Sequence, residues 1–135
     1  MIEVPDIINA YYATAGALAI VVGFVHSALG EFLIFSGLRQ GGIVPTGAES
    51  GLRERQVRIL WATWHLPTIF AFLIGAVLMQ FSLSPVQLES DRFVVRAIIA
   101  SAGLSSFIVL FATKGRHPGW VGLLTIAVVA WLGLA

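Results

Sequence analysis

The chain has no cysteine. Disulfides, thiolate metal ligands and thiol catalysis are therefore excluded. Charge is also scarce: 11% of the 135 residues are Asp, Glu, Lys or Arg, where an ordinary soluble domain carries about a quarter. A net charge of +1 with no basic stripe gives no footprint for nucleic acid. The N-terminus lacks a basic region before its first apolar run, opening instead with Glu3 and Asp6. It therefore does not read as a cleaved signal peptide. Neither an internal repeat nor the inverted repeat of many transporters is visible.

What is present is hydrocarbon. Ile7 to Leu38 holds one charge, Glu31; Ile59 to Leu88 holds none; Phe93 to Thr113 holds only Arg96; and Pro118 to Ala135 holds none. A helix needs about 20 apolar residues to cross a bilayer, with a range of about 17–25. The reading is an all-α, polytopic integral membrane protein: a single antiparallel bundle of four transmembrane helices spanning about 8–38, 54–81, 92–113 and 118–135. Basic residues orient it. Arg39, Arg53, Arg55, Arg58, Lys114 and Arg116 flank the first and third connections, against Arg92 and Arg96 at the second. This predicts those two connections in the cytoplasm and both termini outside. Tyr11 and Tyr12 fall at the expected outer aromatic belt, and Trp120 near the inner one.

The connections differ in kind. Arg39 to Gly51 is rich in glycine and carries Pro45, so it reads as a loop covering the cytoplasmic face. The second connection carries a helix-start signal at Ser84-Pro85-Val86-Gln87. In the third, Gly115 suits a left-handed helix end and Pro118 a first helical turn, which makes the last two helices antiparallel neighbours. Glycine recurs every seven residues at 16, 23, 30 and 37. Such a stripe admits close helix packing, since lipid supplies no hydrophobic drive between helices. Gly16, Gly23 and Gly30 are the expected contact, with Ala97, Ser101 and Ser105 as a second small-residue row; each row suits close packing inside the bundle, with a second protomer as the alternative.

An ionisable group at membrane depth costs roughly 2.5 kcal/mol or more without a partner. Glu31 and His65 each lie seven residues inside their helix ends, about 10 Å deep, with His26 about 7 Å deeper. His117 sits at the third connection. Imidazoles and a carboxylate suit a transition metal, two histidines suit haem, and Trp61 and Trp64 beside His65 suit a flat ligand such as a quinone. His26 and Glu31 are five residues apart, about 140° around a helix, so they flank the glycine stripe rather than share an ion. Glu31 with His65 is the pair better matched in depth, and Arg58 is a second partner for which Glu54, four residues earlier, competes. Arg58, Trp61, His65, Thr68 and Phe72 share one face, and Pro67 predicts a kink that frees the Thr63 carbonyl. A single intramembrane histidine is nonetheless more often a hydrogen-bonded packing residue than a ligand. His117 reads as a headgroup contact or helix cap.

Three segments, His26-Ser-Ala-Leu-Gly-Glu31, Arg58-Ile-Leu-Trp-Ala-Thr-Trp-His65 and Gly115-Arg-His-Pro-Gly-Trp120, together resemble a group of small, uncharacterised bacterial four-span inner-membrane proteins. The resemblance runs over nearly the whole chain. It implies a bacterial inner-membrane protein and supplies no activity, cofactor or substrate. The glycine-arginine motif of fluoride channels and the glutamate setting of small multidrug exporters are absent.

Three functional readings follow. The first is a non-catalytic subunit or assembly protein, partnered by lipids and by other membrane subunits or its own copies, with the Glu31–His65–Arg58 group as a buried polar clasp. The second is a redox or ligand-binding protein in which His26, Glu31 and His65 hold haem, a transition metal or a quinone. The third is a proton-coupled carrier in which Glu31 and His65 exchange a proton.

Overall fold

The computed structural model describes residues 8–47, 51–84, 86 and 88–135. Within them the chain is all-helical: α1 (Ala10–Gly30), α2 (Glu54–Leu83), α3 (Glu89–Thr113) and α4 (Gly119–Leu134). A π turn (Glu31–Phe35) and a 3₁₀ turn (Ser36–Leu38) extend α1 without interruption. The extended first helix, α2 and α3 are long and apolar enough to cross a membrane. With 16 residues, α4 is shorter; at 1.5 Å per residue it rises about 24 Å, against a hydrocarbon core of about 30 Å. The N-terminal acids Glu3 and Asp6, and the start signal at Pro85 and Gln87, lie outside the described residues.

The helices do not contact one another equally. α1 is central: α2 packs along one side and α4 along another, while α3 joins chiefly through α4. Each of these neighbours runs antiparallel to the helix it packs on, as the contacts show. A Cβ on Gly16 would stand 2.8 Å from the Gly75 carbonyl oxygen, one on Gly23 would stand 2.8 Å from the Ala71 Cβ, and one on Gly30 would overlap the Trp64 indole. The seven-residue stripe is thus the α1–α2 seam along three of its four glycines. Gly37, the fourth, has open space around it. On the other side of α1, a Cβ on Gly122 would meet Val22 and one on Gly133 would meet the Tyr12 ring.

Asn9 fixes one end. Its Oδ1 accepts from the amides of Tyr11 and Tyr12 as the N-cap of α1, its Nδ2 donates to the Gly133 carbonyl at 3.1 Å, and its own amide donates to Ser82 at 2.9 Å. One residue thus ties the start of α1 to the ends of α2 and α4. Beside it, Tyr12, Ala15, Leu78, Val95, Ile98 and Ala130 form a core to which all four helices contribute. Tyr11 is half exposed, but Tyr12 is 1% exposed and belongs to this core.

The α3 face departs from the reading of its small-residue row as packing inside the bundle. Its buried row is Val95, Ile98, Ala102 and Ser106, while Ala97, Ser101 and Ser105 are not buried. Ser106 anchors the hairpin by donating to the Trp120 carbonyl at 2.7 Å. The tight α3–α4 turn uses two left-handed residues, Lys114 and Gly115, and the Gly115 amide returns to the Leu110 carbonyl at 2.9 Å. At the opposite connection, Thr46 and Gly47 both donate to the Leu38 carbonyl, and Pro45 is fully buried. That loop folds back over the end of α1.

Candidate functional site: a polar seam between α1 and α2

Two short ladders face each other where α1 gives way to its π turn. Ser27 and Glu31, four residues apart, stand on α1; Trp61, His65 and Thr68 stand on α2 at spacings of four and three. Glu31 Oε1 accepts from Trp61 Nε1 at 2.5 Å and meets His65 Nε2 at 3.0 Å. Arg39, reaching back from the start of the loop, donates to Glu31 Oε2. The carboxylate is about a quarter exposed, and both of its oxygens have partners.

The other face of His65 continues the chain. Its Nδ1 lies 2.7 Å from Ser27 Oγ, Ser27 Oγ lies 2.7 Å from Thr68 Oγ1, and Thr68 donates to the Gly23 carbonyl at 2.9 Å. The directions follow from counting hydrogens. Thr68 has one hydroxyl hydrogen and gives it to a carbonyl, which can only accept. The hydrogen between the two hydroxyls is therefore Ser27's, and Ser27 in turn accepts from an Nδ1–H on His65. With Nδ1 as a donor, the Ser27 and Thr68 hydroxyls orient the His65 ring and turn its Nε2 toward Glu31 Oε1.

His26 takes a separate position. Its Nε2 donates to the Trp64 carbonyl at 3.1 Å, and Trp64 Nε1 donates to the His26 carbonyl at 3.1 Å. The two rings stack at 4.6 Å and 10°. This reciprocal pair fits because Gly30 presents no side chain to the indole. Phe35, fully buried, closes the stack edge-on to Trp64 at 5.9 Å and 78°.

The π turn helps to arrange this. The Ser36 amide donates to the Glu31 carbonyl five residues back, so the helix carries one extra residue in that turn. The turn begins at Glu31 and ends at Phe35, the residue on the Trp64 edge. π turns of this kind are frequent at functional sites.

The structure therefore brings Glu31, His65, Trp61 and Thr68 together, and sets His26 with Trp64 beside them. It leaves two predicted residues out. Arg58 turns to Glu54, with Nη2 2.6 Å from its carboxylate, and does not reach Glu31. His117 lies at the α3–α4 turn, where its Nδ1 accepts from the Gly119 amide at 3.0 Å and caps α4. α2 runs as one helix through Pro67, and the carbonyl that His26 uses is that of Trp64, one residue beyond Thr63. Sequence reasoning missed Ser27 and Arg39. Ser27 was signalled by its place one turn before Glu31; Arg39 had only its charge to mark it.

Among the described residues, no group of three or more His, Asp or Glu side chains is placed to hold a metal ion. The donor set explains why: His65 has both ring nitrogens engaged, and His26 directs its Nε2 at a carbonyl. One face of the Trp64 indole is covered by His26. The buried side-chain atoms lacking a partner among the described residues are Arg39 Nε and Thr46 Oγ1, both at the loop rather than inside the seam. Comparison of the chain with family models, curated proteins and solved structures finds no match.

Proposed function

We propose that the chain is a non-catalytic subunit or assembly protein of the bacterial inner membrane. In this reading the Glu31 cluster is a polar clasp that locks α1 to α2. Four transmembrane helices form a small antiparallel bundle, with both termini outside and the Arg39–Gly51 loop in the cytoplasm. The single observation that carries this reading is closure. Each polar side-chain atom of Ser27, Glu31, His65 and Thr68 is engaged by a neighbour from α1, α2 or Arg39. Such a satisfied network fixes one packing of two otherwise featureless apolar helices. A relay for protons needs a group at each end that can release one, and this chain of hydrogen bonds terminates on the Gly23 carbonyl.

The test is to purify the protein gently and compare it with His65→Ala. The clasp reading expects the parent to lack stoichiometric metal and a Soret band, and to carry no quinone. It expects His65→Ala to lower thermal stability in detergent and weaken co-purification of membrane partners. A chromophore or stoichiometric metal in the parent that vanishes in His65→Ala would overturn it in favour of the haem, metal or quinone reading.

A further inference from the structure

The start of α2 presents a groove of about 610 Å³ lined by Arg53, Glu54, Arg55, Arg58, Ile59 and Ala62. Three guanidiniums face one carboxylate there. Glu54 is committed to Arg58, through both Nε at 2.8 Å and Nη2 at 2.6 Å. Among the described residues, Arg53 and Arg55 form no ion pair with any carboxylate. Among the described residues, two positive charges at its head are thus uncompensated.

Its other wall is apolar and continues down the helix. Arg55, Ile59, Ala62, Leu66 and Ile69 recur at spacings of four and three, so they form one stripe along α2. All five are exposed, with Ile59 at 52% and Ile69 at 61%, and the stripe has no helix packed on it. From Ile59 to Ile69 it rises about 15 Å, one leaflet of a hydrocarbon core about 30 Å thick.

We propose that this groove is a binding site for an anionic phospholipid, with Arg53 and Arg55 on the phosphate and an acyl chain along Ile59–Ile69. Charge complementarity selects the headgroup, because guanidiniums pair with phosphate oxygens in a bidentate fork. The apolar stripe selects a lipid over a free anion. The inference rests on the proposed membrane placement of α2 but not on the clasp.

The probes are phosphatidylglycerol, phosphatidylcholine and inorganic phosphate. The full-length protein would be reconstituted in phosphatidylcholine nanodiscs, and lipid adducts counted by native mass spectrometry after titration with phosphatidylglycerol. Each interfacial basic residue contributes about fivefold to anionic-lipid affinity, so Arg53→Gln with Arg55→Gln should weaken phosphatidylglycerol binding about thirtyfold. Arg92→Gln with Arg96→Gln, at the other end of the helices, should leave it unchanged. Both pairs are exposed, and circular dichroism checks that each variant folds. Equal retention of the two lipids by the parent, equal loss in both double variants, or full displacement by inorganic phosphate would each overturn the lipid site. A parent that does not enter nanodiscs at all would overturn the membrane placement as well, which separates that failure from loss of the site alone.

Discussion

Gly30 and Gly37 belong to one heptad stripe, yet the structure assigns them opposite roles, and alanine at each position separates the two. At Gly30 the added methyl would stand 2.6 Å from both Cδ1 and Cε2 of Trp64, well inside contact distance. The indole cannot move alone, since it donates to the His26 carbonyl and stacks on the His26 ring. Overpacking of this kind costs about 1–3 kcal/mol. The two His26–Trp64 hydrogen bonds are worth about 0.6 kcal/mol each inside a membrane, and the stack about 0.5–1.5 kcal/mol. Alanine regains about 1 kcal/mol of helix propensity over glycine. Summed, with the propensity gain subtracted, Gly30→Ala is expected to destabilise by about 2–5 kcal/mol. At Gly37 nothing lies within 4 Å, so Gly37→Ala should be neutral or stabilising by up to about 1 kcal/mol. Equilibrium unfolding in mixed micelles, followed by circular dichroism and tryptophan emission, measures both. Removing the indole by Trp64→Ala should abolish the Gly30→Ala penalty, a coupling that a double-mutant cycle reads directly. Equal responses at the two glycines, or a Gly30→Ala protein as stable as its parent, would refute the packing argument.

The tautomer of His65 is open to nitrogen NMR. The parent should show a protonated Nδ1, and Ser27→Ala, which removes its acceptor, should release the ring to the Nε2–H form facing Glu31; an unprotonated Nδ1 in the parent would break the hydrogen-counting argument. The two arginines near the seam should also separate. Arg39→Gln removes a charge-assisted bond to Glu31 and is expected to cost about 1–3 kcal/mol, whereas Arg58→Gln loses only an exposed i,i+4 pair worth about 0.3–0.5 kcal/mol. Unfolding midpoints of the two variants decide this, and a larger loss for Arg58→Gln would restore it as the partner of Glu31.

The helices were legible in the sequence because span length and hydropathy are local quantities. So was the depth match of Glu31 and His65, since rise per residue is constant along a helix. The α3 face was not legible. Apolar residues lie on every side of α3, so no polar stripe marks its outside, and the small residues Ala97, Ser101 and Ser105 suited a seam that Val95, Ile98, Ala102 and Ser106 occupy instead. Tyr12 was misplaced for a related reason: its sequence position fits an aromatic belt, but Gly133 leaves room for its ring against α4. The π turn had no local signature at all. Whether the Ser36 amide bonds four or five residues back depends on what Phe35 packs against, and that surface belongs to α2. Arg39 was legible as a charge and not as a partner, because its reach depends on how the chain leaves that turn.

The position of α1 between α2 and α4 bears on how the chain would enter a bilayer. Of the four helices, α1 leaves the ribosome before the others, carrying His26, Ser27 and Glu31 with no partner yet made. The residues that satisfy them run only from Arg39 to Thr68, so the answer arrives with the very next helix, across one loop. In a bilayer, α1 and α2 are thus the smallest piece whose buried chemistry is complete, and α3 and α4 can dock afterwards as an almost purely apolar hairpin. The order of synthesis and the order of polar satisfaction coincide. A chain whose clasp joined α1 to α4 would instead have to hold a bare carboxylate in lipid until translation ended.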